Sequence, residues 1–151
     1  MREKILELLY EWSKKPYQKF MKNNTPWHIS TAKLQSYPQG TLGQQLGLFL
    51  KTNNFRIEPK LENHDVFHVL TNTGTSVPEE ISMQYYLLGN GKRSIYLITV
   101  IVLGTILFPD YITLFYRAYQ RGKIALPFYQ LNFLKMLQQP IEKIKSTFKI
   151  Q

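Results

Sequence analysis

Two of the three histidines in this chain stand four residues apart in His64-Asp65-Val66-Phe67-His68, and Glu80 follows after eleven further residues. Three of the ten acidic residues, Asp65, Glu79 and Glu80, fall in that same window of a chain whose net charge is +9. At about 100° per residue, a helix through this segment points His64, His68 and Asp65 at about 0°, 40° and 100° round its axis. Val66, Phe67, Val69 and Leu70 take the rest of the circumference. A helix that is apolar except for a His/Asp/His strip belongs among other helices. Buried imidazoles and carboxylates need partners, because unpaired buried charge is costly, and one divalent cation satisfies them together. The chain is thereby constrained to bring a second element over this strip.

The next residues supply that element. Thr71-Asn72-Thr73-Gly74-Thr75-Ser76 has no apolar periodicity and reads as a turn. Ser76-Val77-Pro78-Glu79 has the Ser-x-x-Glu spacing of a capping box, with proline at a position the first helical turn tolerates. A helix starting there carries Glu80 in its first turn, and an antiparallel return lays it over His64, Asp65 and His68. Glu79 is expected to cap the helix. Two imidazoles and two carboxylates suit one Zn ion first, and also accept Fe(II) or Mn. The alternative is that His and Asp at helical spacing pair with each other and hold no ion. The spacing is neither the zincin H-E-x-x-H nor the His-Asp phosphohydrolase pattern, which needs further ligands.

These residues resemble the Coq-four family of coenzyme Q (ubiquinone) biosynthesis proteins, whose hallmark is HDxxH, eleven residues, then Glu. Tyr37-Pro38-Gln39-Gly40-Thr41-Leu42-Gly43, running into Leu46 and Phe49-Leu50, is similar to the family's Pro-x-Gly-Thr-Leu-Gly segment. His64 to Thr71 resembles its His-Asp-x-x-His-Val-Leu-Thr core. Ala118-Tyr119, Arg121-Gly122-Lys123, Pro140-Ile141-Glu142 and Ile150 follow its C-terminal pattern. The chain departs from that pattern between Lys51 and His64, where it is shorter, and near Leu131-Asn132-Phe133, in place of a Trp-Glu pair. The resemblance implies an all-helical protein holding one metal, usually zinc, on His64, Asp65, His68 and Glu80. It implies work on polyprenylated ring precursors of ubiquinone, with the C1 carboxyl replaced by hydroxyl. It also implies residence on a membrane surface beside other quinone-biosynthesis proteins.

The expected fold is therefore all-α: one domain over 1–151, a compact multi-helix bundle with the metal site between two antiparallel helices. Hydrophobic residues make up 44% of the chain, enough for a sizeable core, and there is no cysteine for disulfides or thiolate ligands. Met1 to Phe20 reads as an amphipathic helix, either packed on the core or lying on a membrane surface. Gln39 to Leu50 reads as a helix N-capped by Thr41, and Asn53 to Asn63 as a loop with a short extended piece at Phe55-Arg56-Ile57. The helix from Ser76 should stop at Gly89-Asn90-Gly91. Ile95 to Phe108 is almost wholly apolar but shorter than the ~20 residues of a membrane span, so it reads as a buried helix. A break at Pro109 and a helix over about Asp110 to Gln120 follow, with Asp110 at its start.

Ile95 to Phe108, with Tyr111, Leu114, Phe115, Phe128 and Tyr129, is more apolar surface than a small bundle hides. It calls for a homodimer, or for a pocket that takes a long hydrophobic ligand such as a prenyl tail. The basic surplus from Arg117 onward suggests an anionic partner. No nucleic-acid-binding signature is present, so lipid headgroups or a prenyl phosphate are the expected partners, with Arg121 and Lys123 as the contacts. No signal-peptide pattern is found at the start, which points to the cytoplasm or a membrane surface rather than secretion. Two functions follow. One is a metal-dependent oxidative decarboxylase of a polyprenyl-hydroxybenzoate. The other is a non-catalytic prenyl-lipid scaffold with a structural metal.

Overall fold

The computed structural model of the chain describes Met1, Lys4, Ile5 and residues 25–151. The amphipathic helix expected over Met1 to Phe20 lies almost wholly outside the described residues. From Thr25 onward there are seven α-helices: α1 (Thr31–Gln35), α2 (Leu42–Thr52), α3 (Glu62–Thr71), α4 (Val77–Gly89), α5 (Ile95–Leu107), α6 (Ile112–Ile124) and α7 (Ile141–Phe148). No strand occurs among the described residues; Thr41 and Pro140 form one isolated bridge. The fold is all-α, as expected, and Phe55-Arg56-Ile57 is plain loop.

The helix starts follow local chemistry. Thr41 caps α2, its hydroxyl accepting from Gln44 N at 3.4 Å. The first backbone N–H groups of a helix have no partner within it. Here Leu42 N donates to Gln139 O at 2.9 Å and Gly43 N to Leu137 O at 2.8 Å, so the segment before α7 completes the start of α2. Ser76 and Glu79 form the expected capping box on α4, and Ser94 caps α5 by accepting from Leu97 N at 3.1 Å. Asn72 ends α3 in the left-handed region, a conformation asparagine tolerates.

Two glycines set the tightest packing. α4 and α6 form the most extensive helix pair. A Cβ on Gly122 would run into Tyr86 O, and one on Gly89 into Tyr119 O, so the two backbones touch at these points. Asn90, buried at the end of α4, then holds the exit of α6. Its Nδ2 donates to Ala125 O at 3.2 Å and Leu126 O at 3.0 Å, and its Oδ1 accepts from Phe128 N at 3.0 Å. The expected stop at Gly89-Asn90-Gly91 is thus also the clamp between α4 and the chain beyond α6.

α5 is not the buried helix that its composition suggested. Only Leu97 and Gly104 are buried along it. Ile95, Ile98, Val102 and Ile106 face outward, and Ile95 and Ile106 are 72% and 69% exposed. The physical reason is that α4 already gives one flank to α6, which leaves α5 a narrow contact: Ile81 of α4 packs where Gly104 has no side chain. A short 3-10 turn, Pro109–Tyr111, then bends the chain by 104° into α6. Ile112, Leu114 and Tyr116 continue the exposed apolar surface. Among the described residues no single helix is long and apolar enough to cross a membrane.

If the α4–α6 contact is as close as these glycines indicate, Gly122→Ala should destabilise the protein by about 1–3 kcal/mol through overpacking. Ile124→Ser, on the exposed side of the same helix, should stay within about 0.5 kcal/mol of wild type. Urea unfolding followed by circular dichroism measures both; equal midpoints for the two variants would refute the contact.

Candidate metal centre

α3 presents His64 and His68 one turn apart, and the turn 72–76 reverses the chain so that α4 brings Glu80 between them. Glu80 Oε2 lies 3.2 Å from His64 Nε2, and Glu80 Oε1 lies 3.0 Å from His68 Nε2. The two Nε2 atoms are 3.2 Å apart. These three side chains form a group that could hold one ion. Donors bonded to one cation at about 2.0–2.2 Å, in neighbouring coordination positions, sit roughly this far from each other. Donor chemistry and spacing therefore both fit a divalent cation.

The surroundings orient the donors. His68 is buried, and its Nδ1 lies 3.1 Å from Thr73 O. A carbonyl only accepts, so Nδ1 carries the hydrogen and the neutral ring keeps its Nε2 lone pair for the cluster. Second contacts of this kind fix the ring of a metal-binding histidine. Phe49 of α2 stacks on the other side of the ring, with centroids 5.4 Å apart and planes at 17°. The turn is held in its own right, since Thr71 Oγ1 donates to Phe67 O at 2.8 Å and lies 2.7 Å from Thr73 Oγ1.

The electrostatics of the three side chains follow from burial set against their mutual charges. Burial alone would raise the Glu80 carboxyl, but the charges and hydrogen bonds of His64 and His68 overcome it and hold the group at about 2. Burial alone would lower His68; the hydrogen bond and charge of Glu80 outweigh it, with Thr73 O and Asp65 adding to the effect, and His68 is raised. Asp65 goes the other way: burial lifts it to about 6, against the charges of His64 and His68.

Asp65 is not part of the converging group. It lies about 100° round the helix from His64, while His68 lies only about 40° away. Glu80 arrives over the histidine strip, and Asp65 acts on it from the side by charge. Glu79 stays in the capping box, as expected. Arg121 is engaged inside the protein: its guanidinium donates to Thr71 O at 3.0 Å and to Gln151 O, and its Cζ sits 5.4 Å from the centre of the Tyr86 ring. Lys123 is exposed, with Nζ 5.8 Å from the centre of the Tyr119 ring. Sequence reasoning missed Thr73 O and Phe49, which share no spacing with the histidines; only the fold brings them there.

A proton held between Glu80 and the histidines must leave before a cation takes its place. Metal affinity should therefore weaken as pH falls below the raised His68 value and level off above it. Zinc titration by calorimetry, in buffers of different ionisation enthalpy, should show net proton release near neutral pH. Affinity and proton count that do not change with pH would exclude these histidines as ligands.

No family model matches the chain, and no curated protein matches it. Among solved structures, the fold is similar to a crystal structure from Nostoc punctiforme, provisionally named a ubiquinone biosynthesis protein. The TM-score is 0.72 at 18% identity, over 96% of this chain and 81% of that one. At this identity the likeness establishes a shared fold.

Proposed function

We propose that this protein is a metal-binding component of ubiquinone biosynthesis that acts on a polyprenylated ring precursor, releasing its C1 carboxyl as carbon dioxide and putting a hydroxyl in its place in a two-electron oxidation with dioxygen as the oxidant. The observation that carries the reading is the grouping of His64, His68 and Glu80: the two Nε2 atoms lie 3.2 Å apart, and the two Glu80 oxygens lie 3.2 Å and 3.0 Å from them. Two imidazoles and one carboxylate would leave a bound ion room for substrate, a donor set that suits iron and also zinc. A bound ion would supply Lewis-acid or redox chemistry there. The chain's own part is to hold that face in register: Thr73 O sets the His68 tautomer, Phe49 fixes its ring plane, and Asp65 places a half-buried carboxyl beside it. The name of the Nostoc structure supports the pathway, and its fold supports the scaffold.

The outward face of α5 and the start of α6 favours a second element of the reading, attachment to a lipid surface. Ile95, Ile98, Val102, Ile106, Ile112 and Tyr116 are exposed apolar side chains across a 104° elbow of a chain with net charge +9. Apolar area with a basic surplus is the composition that binds anionic membranes. Lys123 is the proposed headgroup contact; Arg121, already engaged with Thr71 and Tyr86, is not. In the scaffold version of this reading, the metal only ties α3 to α4 and the protein presents the prenylated intermediate to other enzymes.

Elemental analysis of wild type should find about one equivalent of Zn, Fe or Mn, and His64→Ala/His68→Ala should lose it. Under air, wild type incubated with a prenylated 4-hydroxybenzoate should release carbon dioxide and stop when chelator is added. Metal retained with no turnover would favour the scaffold; no metal bound, even on titration, would sink the catalytic reading. Separately, Val102→Glu/Ile106→Glu should abolish flotation with anionic liposomes while leaving metal content unchanged; flotation equal to wild type would remove this face as the attachment surface.

A further inference from the structure

Gln84 is 3% exposed, and its Oε1 meets no hydrogen-bond donor. Buried polar side chains almost always have a partner, so an amide in this state marks a place where a donor is expected. Its position on α4 says which donor. Gln84 follows Glu80 by four residues, so it lies about 40° round the helix and about one 5.4 Å turn further along. Side chains at this spacing are neighbours on one strip. That strip is the one that carries Glu80 to His64 and His68. The next residues on this side, Met83 and Leu87, are buried and apolar and offer no donor. An amide oxygen only accepts, so the missing group is an O–H or N–H.

We propose that Gln84 determines specificity in the ligand site beside His64, His68 and Glu80, where its Oε1 accepts a hydrogen bond from the phenolic hydroxyl of a bound aromatic acid. One helical turn is close to the breadth of a single aromatic ring. A ring whose acidic end meets the donor triangle thus carries a hydroxyl on its far side to Gln84. This deepens the proposed function and rests on it. A ring lacking the hydroxyl leaves the buried oxygen unpaired, and sites of this kind reject such analogues more strongly than apolar pockets do.

The test compares 4-hydroxybenzoate with 4-methoxybenzoate, which has the same ring and carboxylate but no hydroxyl donor. Each is titrated into zinc-loaded full-length protein by NMR, for wild type and Gln84→Met. Wild type should prefer the hydroxy acid by about 10-fold, the size of one hydrogen bond to a buried group. Gln84→Met should bind both acids about equally. A preference that survives in Gln84→Met overturns the inference. So does equal binding of both acids by wild type, which leaves the wider reading of a ring-binding site intact. Binding of neither acid, with zinc still held, overturns both. The ligand-free variant supplies a check independent of binding. If Gln84 serves a ligand, Gln84→Met should melt at or above the wild-type temperature, because it removes an unpaired buried oxygen. A clear fall in melting temperature would assign Gln84 a structural role and overturn the inference.

Discussion

The structure depends on the meeting of one carboxylate with two imidazoles between α3 and α4. His68 is buried, and a buried imidazole is tolerated only with partners for both ring nitrogens. Thr73 O takes one nitrogen and Glu80 the other. Both partners come from beyond the end of α3, so the polar cluster fixes how tightly the chain turns and where α4 begins. The Ser76–Glu79 capping box and the left-handed Asn72 are the local means of that turn. The charges and hydrogen bonds of His64 and His68 hold Glu80 at about 2, so the carboxylate stays ionised in a group that could hold one ion.

A second constraint shapes the surface. α4 is hemmed by the His64/His68/Glu80 group on one side and by backbone contact with α6 on another, where Gly89 and Gly122 leave no room for side chains. α5 is left with the corner at Ile81 and Gly104, and its remaining apolar side chains face outward. An apolar helix is therefore displayed because the glycine contact between its neighbours has already filled the interior. The His64/His68/Glu80 group and the exposed apolar elbow of α5 and α6 share α4 as a common strut.

Much of this was legible in the residues. The 3.6-residue periodicity, Thr41 and Ser76 as caps, and Gly89-Asn90-Gly91 as a stop located α2 and α4, because caps and stops act over a few residues. Three of the four expected metal donors converge. Asp65 does not, since sequence spacing specifies an angle on one helix and says nothing of the direction from which the second helix arrives. Ile95 to Phe108 misled for a related reason. Composition shows that a helix is apolar, but burial depends on what its neighbours have left uncovered.

The sequence by itself determined the helix starts at Thr41 and Ser76, the stop at Gly89-Asn90-Gly91, and the pairing of His64 and His68 with a carboxylate from the next helix. Each of these follows from interactions spanning a dozen residues or so. Only the tertiary structure decided that Thr73 O and Phe49 orient His68, that Arg121 is held by Thr71 and Tyr86, and that Gln84 lies buried without a donor beside Glu80. These depend on the approach of surfaces far apart in the chain, where the close packing of two backbones, not local preference, selects which side chains are enclosed.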